Sequence, residues 1–191
     1  MIDENAQLYT LEGLGAATIL MMVIVYAIDA TSMTPLTSST SNAHGENELA
    51  ALGQDILNTL DYAEPGYRSN LQNDIIKWDG EMYVWSGTNY IADGNLSNNL
   101  TNNLTIILNA TLVKQGIAHN VEVTFLTSNG TTYSRQKMIY NGDPSDNAVI
   151  VSRKIVLQDN DGNFAGSPIA DIDRSTNLHN IVDIKLILWS T

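Results

Sequence analysis

The sequence predicts an α+β fold: a long N-terminal hydrophobic helix, then a β-rich head that is sandwich-like, mostly antiparallel and carries one amphipathic helix. Three observations predict this class. Residues 13–28 contain no charged side chain. Residues 46–62 repeat apolar side chains at helical spacing, and from Glu81 onward apolar and polar residues alternate as in strands. The 191 residues suffice for one globular domain and an appendage.

We divide the chain into three parts. Residues 1–35 form the hydrophobic assembly helix, residues 36–45 a Ser/Thr-rich joint, and residues 46–191 the globular head. Proline disfavours helix at the residue before it, so Pro35 predicts that the first helix ends or kinks near Met33.

The apolar run Gly13–Ile28 has no polar stripe, so a helix formed by it must be buried by lipid or by protein. It would span about 24 Å, short of the ~30 Å hydrocarbon core of a bilayer. Extension back to Leu8 adds enough length but includes Glu12. Three interpretations are open: a cleaved secretory signal, a membrane anchor, and a helix that bundles with copies of itself. No Lys or Arg precedes Arg68, so a signal lacks its basic leader and an anchor lacks its orienting flank.

The motif LYTLEG at residues 8–13, followed by the apolar run, resembles the start of type IV pilins. It is most similar to a group of archaeal pilin-like proteins in which TLEG precedes a helix and a Thr-Pro-Leu-Thr stretch, here residues 34–37. Residues 145–157 and 179–189 resemble the same group. The resemblance implies a filament subunit.

The resemblance also implies roles for particular residues. Glu12 would pair its charge with a neighbouring subunit, and Ala6-Gln7 is the candidate processing site. The assembly helix would present Leu8, Tyr9, Leu11, Glu12, Gly13, Leu14, Ile19, Leu20, Met21, Ile24 and Ile28.

The head elements follow in order. An amphipathic helix over 46–62 is ended by Pro65-Gly66, and turn signals then separate five to seven predicted strands. The strand predictions cover residues 82–85, 104–113, 121–125, 136–140, 149–157 and 180–189.

Composition excludes several function classes. The 9 Lys and Arg against 21 Asp and Glu give a net charge of −12, which argues against electrostatic binding of nucleic acid. The absence of cysteine removes disulfides, thiol nucleophiles and Cys-ligated zinc. The three histidines lack ligand spacing, and no nucleotide-binding or hydrolase motif occurs. We therefore predict no enzyme activity, no cofactor and no metal site.

One partial metal motif is present. Residues 159–163 resemble the opening of a calcium loop, and Asp171 and Asp173 could add ligands. The full spacing and the terminal Glu are missing, so an Asp-Gly turn is the simpler interpretation.

Five Asn-x-Ser/Thr sequons are candidate N-glycosylation sites in an exported protein. An Asn-rich loop without glycans is the alternative interpretation. The acceptor residues are Asn95, Asn99, Asn103, Asn109 and Asn129, of which Asn95 and Asn99 are better placed than Asn109.

We therefore expect a structural pilin of an extracellular archaeal type IV pilus-like filament. Its partners would be copies of itself, with the membrane holding the chain before assembly and the head exposed for adhesion, with or without surface glycans. A membrane-anchored cell-surface binding module and a minor pilin are the alternatives, and a secreted enzyme is a third hypothesis.

Overall fold

The computed structural model describes residues 16–22 and 36–190, with residues 36–42 as backbone only. Its contacts divide the chain into two units, Met1–Ala43 and His44–Thr191. Before Leu36 the structure describes residues 16–22 alone; these residues are helical, and we call this segment α1. Our fold class predicted a long N-terminal hydrophobic helix. The described residues contain no such helix, so this prediction is wrong.

The described part of the head forms one mixed sheet of seven strands, so the sandwich-like prediction is also wrong. The strand order is β3-β2-β1-β5-β4-β7-β6, and β1 pairs with β5 in parallel while the other pairs are antiparallel. The strands are β1 (Tyr83–Trp85), β2 (Tyr90–Ala92), β3 (Asn95–Leu100), β4 (Ile117–Leu126), β5 (Tyr133–Ile139), β6 (Val149–Gln158) and β7 (Leu178–Ser190).

Within the described residues, three α-helices accompany this sheet instead of one. They are α2 (Leu36–Asp61), α3 (Asn70–Ile76) and α4 (Asn103–Thr111). The amphipathic helix predicted over 46–62 is α2, but it begins at Leu36 and so includes the residues that we had assigned to the joint.

The core lies between the helices and one face of the sheet. Along β7, residues Val182, Ile184, Leu186 and Leu188 are fully buried, and they belong to one cluster with the inward side chains of all three helices. Period-two alternation in β4, β6 and β7 produces this one-sided burial, because successive side chains point to opposite faces of a strand.

Helix α2 approaches the sheet closely at Gly53. A Cβ atom at Gly53 would lie 2.8 Å from Val151 Cγ2 and 2.9 Å from Leu188 Cδ1, so a larger residue there would force these side chains to move. Beside this contact, Arg153 of β6 donates through Nε to Asp61 at 2.6 Å. Arg153 interrupts the apolar face of β6, and its ion pair with Asp61 joins this strand to the end of α2.

The predicted strand over 104–113 is helix α4, and this is our clearest error in the head. Leu104, Leu108 and Leu112 are fully buried, while Ile106 is 59 % exposed. These residues fit both the strand period and the helix period, so the alternation did not distinguish the two. A capping box formed by Asn102 with residue 105 starts the helix.

A buried carboxylate supports the same helix start from outside. Asp74 of α3 accepts the backbone N–H of Leu104 at 2.8 Å and the side-chain amide of Asn103 at 3.3 Å. The first N–H groups of a helix have no intrahelical partner, so Asp74 satisfies one of them. Burial nevertheless raises the pKa of Asp74 above its usual value of 3.8.

Substitution Gly53→Leu should destabilise the head, because the new side chain must displace Val151 and Leu188. Overpacking of this kind costs roughly 1–3 kcal/mol of unfolding free energy, measurable by urea titration. Gly45→Leu is the matched control, since a Cβ at Gly45 meets nothing within 4 Å in the same helix. Equal stability of the two variants would contradict the close approach of α2.

Substitution Asp74→Asn should change how stability depends on pH. With a raised folded-state pKa, Asp74 contributes stability that is fully present below its unfolded pKa and is lost as pH rises through its folded pKa. The free energy of unfolding of the wild type should therefore fall relative to that of the variant as the pH rises above the usual value of 3.8. Asp55→Asn, at an exposed position on α2, controls for the lost charge; the same pH trend in this control would contradict the prediction.

Candidate functional sites

The described part of the N-terminal unit presents an uncovered apolar surface. All seven residues of α1 are exposed. Its four large apolar side chains, Ile19, Leu20, Met21 and Met22, are 66, 63, 71 and 68 % exposed. Large apolar side chains exposed side by side favour contact with a partner that covers them.

Three of the predicted assembly residues, Ile19, Leu20 and Met21, lie on α1. The others lie outside the described residues: Leu8, Tyr9, Leu11, Glu12, Gly13, Leu14, Ile24 and Ile28, as does the candidate processing site Ala6-Gln7. Among the helices that the structure describes, none is both long enough and apolar enough to cross a membrane.

The predicted glycosylation sites occupy different environments. Asn95 and Asn99 are exposed on β3, which is an edge strand, and Asn129 is exposed in the turn between β4 and β5. A glycan on an edge strand would also hinder the pairing of that strand with another chain.

The sequons at Asn103 and Asn109 belong to α4; Asn103 is itself exposed, but the threonine of its sequon, Thr105, is buried. The hydroxyl of Thr105 is part of the capping box and the residue is buried, while the amide of Asn103 donates to Asp74. Asn109 is half-buried, and the hydroxyl of Thr111 donates to the carbonyl of Ile107 at 2.7 Å.

The acidic turn after β6 is a 3₁₀ turn, Asp159–Asp161, in which Asp161 accepts the backbone N–H of Gln158. Asp159 lies beside Asp171 and His179, so that one ligand atom from each residue is within 4.8 Å of the others. This group is the cluster of potential metal ligands found within the described residues. Asp173, the other acid that we considered, instead accepts from Ser175 and Thr176.

A second buried histidine lies beside a cavity of about 350 Å³. His119 Nε2 is 2.7 Å from the hydroxyl of Tyr90, and its Nδ1 is 3.3 Å from the carbonyl oxygen of Ile117. Burial lowers the pKa of His119 and raises that of Tyr90, so both groups are neutral near pH 7. A neutral pair in hydrogen-bonded contact explains their burial without a catalytic role.

Comparison with known proteins identifies the family. Residues 5–188 match the sequence model of one protein family. The chain belongs to the family of unknown function DUF7288. No curated protein and no solved structure matches the chain. The family match begins before the apolar run and ends in β7, so the family pattern includes both the N-terminal segment and the head.

The family description names no activity, so the pilin resemblance, the extracellular location and the lack of enzyme activity stay predictions. Our sequence reasoning overlooked His179, because 20 positions separate it from Asp159. The antiparallel pairing of β6 with β7 places Gln158 opposite Leu178, and this pairing brings the two side chains together. A prediction from the sequence that β6 pairs with β7 would have placed His179 near Asp159.

In the native source, we expect glycans at Asn95, Asn99 and Asn129 and none at Asn103 or Asn109. The reason is that Asn95, Asn99 and Asn129 are exposed, whereas the threonine of the Asn103 sequon is buried and Asn109 is half-buried. Glycopeptide mass spectrometry measures the occupancy of each site, and the unoccupied sequons on α4 act as internal controls. A glycan at Asn109 with bare Asn95 and Asn99 would contradict this order.

Proposed function

We propose that this protein is a structural subunit of an extracellular archaeal type IV pilus-like filament. In this proposal the apolar N-terminal segment joins copies of the chain, and the head lies outside for adhesion or surface contacts. The observation that carries the proposal is α1, where four large apolar side chains in succession are more than 60 % exposed.

Such a surface needs a cover, because burying apolar area contributes roughly 25 cal/mol per Å². Copies of the same segment are a suitable cover in this chain. The sequence has no Lys or Arg before Arg68, so it lacks the positive flank that holds and orients an anchor helix. Identical segments that pack head to tail make heterologous contacts, and these contacts generate an open helical polymer.

The TLEG motif supports the same proposal through the pilin resemblance. Glu12 next to an apolar segment is costly in lipid, whereas a neighbouring subunit can supply a positive partner. The exposed sequons on the edge strand β3 agree with a head that faces the exterior.

A membrane-anchored surface module is the second candidate, because lipid would cover the same exposed side chains of α1. The two candidates differ in how the protein leaves the cell. A filament subunit is released by mechanical shear as a polymer, whereas an anchored module is released by detergent. A minor pilin would appear in sheared filaments at a low ratio to other subunits.

Leu20→Asp should abolish filaments on expressing cells, because it places a charge in the assembly surface. A charge at the centre of an apolar helix costs about 2.5–3.5 kcal/mol on a membrane-insertion scale, and every subunit of the polymer would incur a comparable cost. Glu12→Ala should also abolish filaments, because it removes the proposed charge pair between Glu12 and a neighbouring subunit. Negative-stain microscopy of sheared surface material, with mass spectrometry of its N-terminal peptide, measures the outcome.

Two control variants accompany this experiment. Leu20→Ile keeps the assembly surface apolar, and Leu96→Asp adds the same charge at a head residue that is 79 % exposed. Both should give normal filaments, and all variants should retain the cooperative unfolding of the head. Normal filaments from Leu20→Asp would refute assembly through this segment, and release by detergent alone would favour the anchored module.

A further inference from the structure

We propose that Asp159, Asp171 and His179 bind a divalent transition-metal ion of the Zn²⁺ class, and that the ion clamps the long connection between β6 and β7. This inference is independent of the filament proposal. It also departs from our sequence prediction of no metal site.

The spacing of the ligand atoms suits a metal ion. His179 Nδ1 lies 3.0 Å from Asp159 Oδ1, and an oxygen of Asp171 completes a group whose atoms are all within 4.8 Å. Zinc binds imidazole nitrogen and carboxylate oxygen at about 2.0–2.2 Å. Two ligands at that distance from one ion are roughly 3.0–3.5 Å apart for near-octahedral to tetrahedral angles, so the ion fits with small movements.

The hydrogen bond of His179 Nε2, on the side of the ring away from Asp159, determines which ring nitrogen carries the hydrogen. Nε2 lies 3.1 Å from the carbonyl oxygen of Ile169, which can only accept, so Nε2 carries the hydrogen. In the neutral ring, Nδ1 then directs a lone pair at Asp159 Oδ1, which is also an acceptor. Two acceptors at 3.0 Å need either a hydrogen or a metal ion between them, and His179 is only 6 % exposed.

The surroundings hold these groups in the manner of a metal site. Metal-binding histidines usually donate their second N–H to a backbone carbonyl or a carboxylate, as His179 does to Ile169. The ring of Phe164 stacks on His179 at 3.6 Å and 14° and so fixes the plane of the imidazole. Asp171 accepts the backbone N–H of Asp173 at 2.8 Å, which orients its carboxylate.

The donor set indicates the class of ion. One imidazole nitrogen with two carboxylates favours Zn²⁺ and similar first-row ions, whereas Ca²⁺ and Mg²⁺ prefer oxygen ligands alone. The ligands come from the end of β6, from the connection and from the start of β7. In a chain without cysteine, such an ion would constrain this connection as a disulfide does in many secreted proteins.

The test uses the full chain in detergent, stripped of metal with a chelator and dialysed. Calorimetric titration with ZnCl₂ should show saturable binding of one ion per chain, and CaCl₂ should bind at least about tenfold more weakly. At a free Zn²⁺ concentration about 100 times Kd, the unfolding midpoint should rise by roughly 5–10 °C.

Asp171→Asn and His179→Gln should each lower Zn²⁺ affinity by at least about tenfold. His44→Gln and Asp146→Asn remove a histidine and an acid that are exposed elsewhere on the chain, and both should bind as the wild type does. Asp171→Asn decides the matter if His179→Gln fails to fold, because Asp171 is only half-buried. Absence of saturable Zn²⁺ binding, or unchanged affinity in Asp171→Asn, would overturn the proposal and leave His179 and Asp159 as a hydrogen-bonded pair.

Discussion

The contact between α2 and the sheet positions the rest of the head. Arg153 joins β6 to Asp61 at the end of α2, and the other oxygen of Asp61 accepts the hydroxyl of Ser69 at 3.2 Å. Ser69 is the N-cap of α3, and α3 carries Asp74, which satisfies the first turn of α4 at Leu104. Polar contacts thus join α2 to β6, α3 to α2 and α4 to α3, and the apolar core fills the space beneath them.

The charge of this protein is distributed unevenly over its surface. On the sheet face turned away from the helices, Glu122 lies directly opposite Lys137 on one side and Lys185 on the other. The next row contains Arg135 and Lys154, so this face holds four of the nine basic residues of a chain with net charge −12. In the proposed filament, this arrangement would lower the repulsion between acidic subunits.

The sequence pattern located five of the seven strands in the described head, and four of these five were located by alternation over a long register. Strands β4, β5, β6 and β7 pair with each other over long registers, and their residues alternate because one face is buried. The short strands β2 and β3 and helix α3 were missed, since three to seven residues carry too little periodicity. Helix α4 was predicted as a strand because its apolar spacing satisfies both periods, and only Asn102 and Asp74 select the helix.

The sequence by itself determined the apolar N-terminal run, the acidic balance, the sequons and the order of the main strands, because each of these is a local pattern of residues. Tertiary structure alone decided that the sheet is single, that α4 is helical, and which sequons are accessible. It also brought His179 to Asp159 and Asp171; the sequence had linked the two acids as possible cation ligands but had not linked the histidine to them. Antiparallel pairing joins residues that are distant in sequence, and no local pattern records which strands will pair.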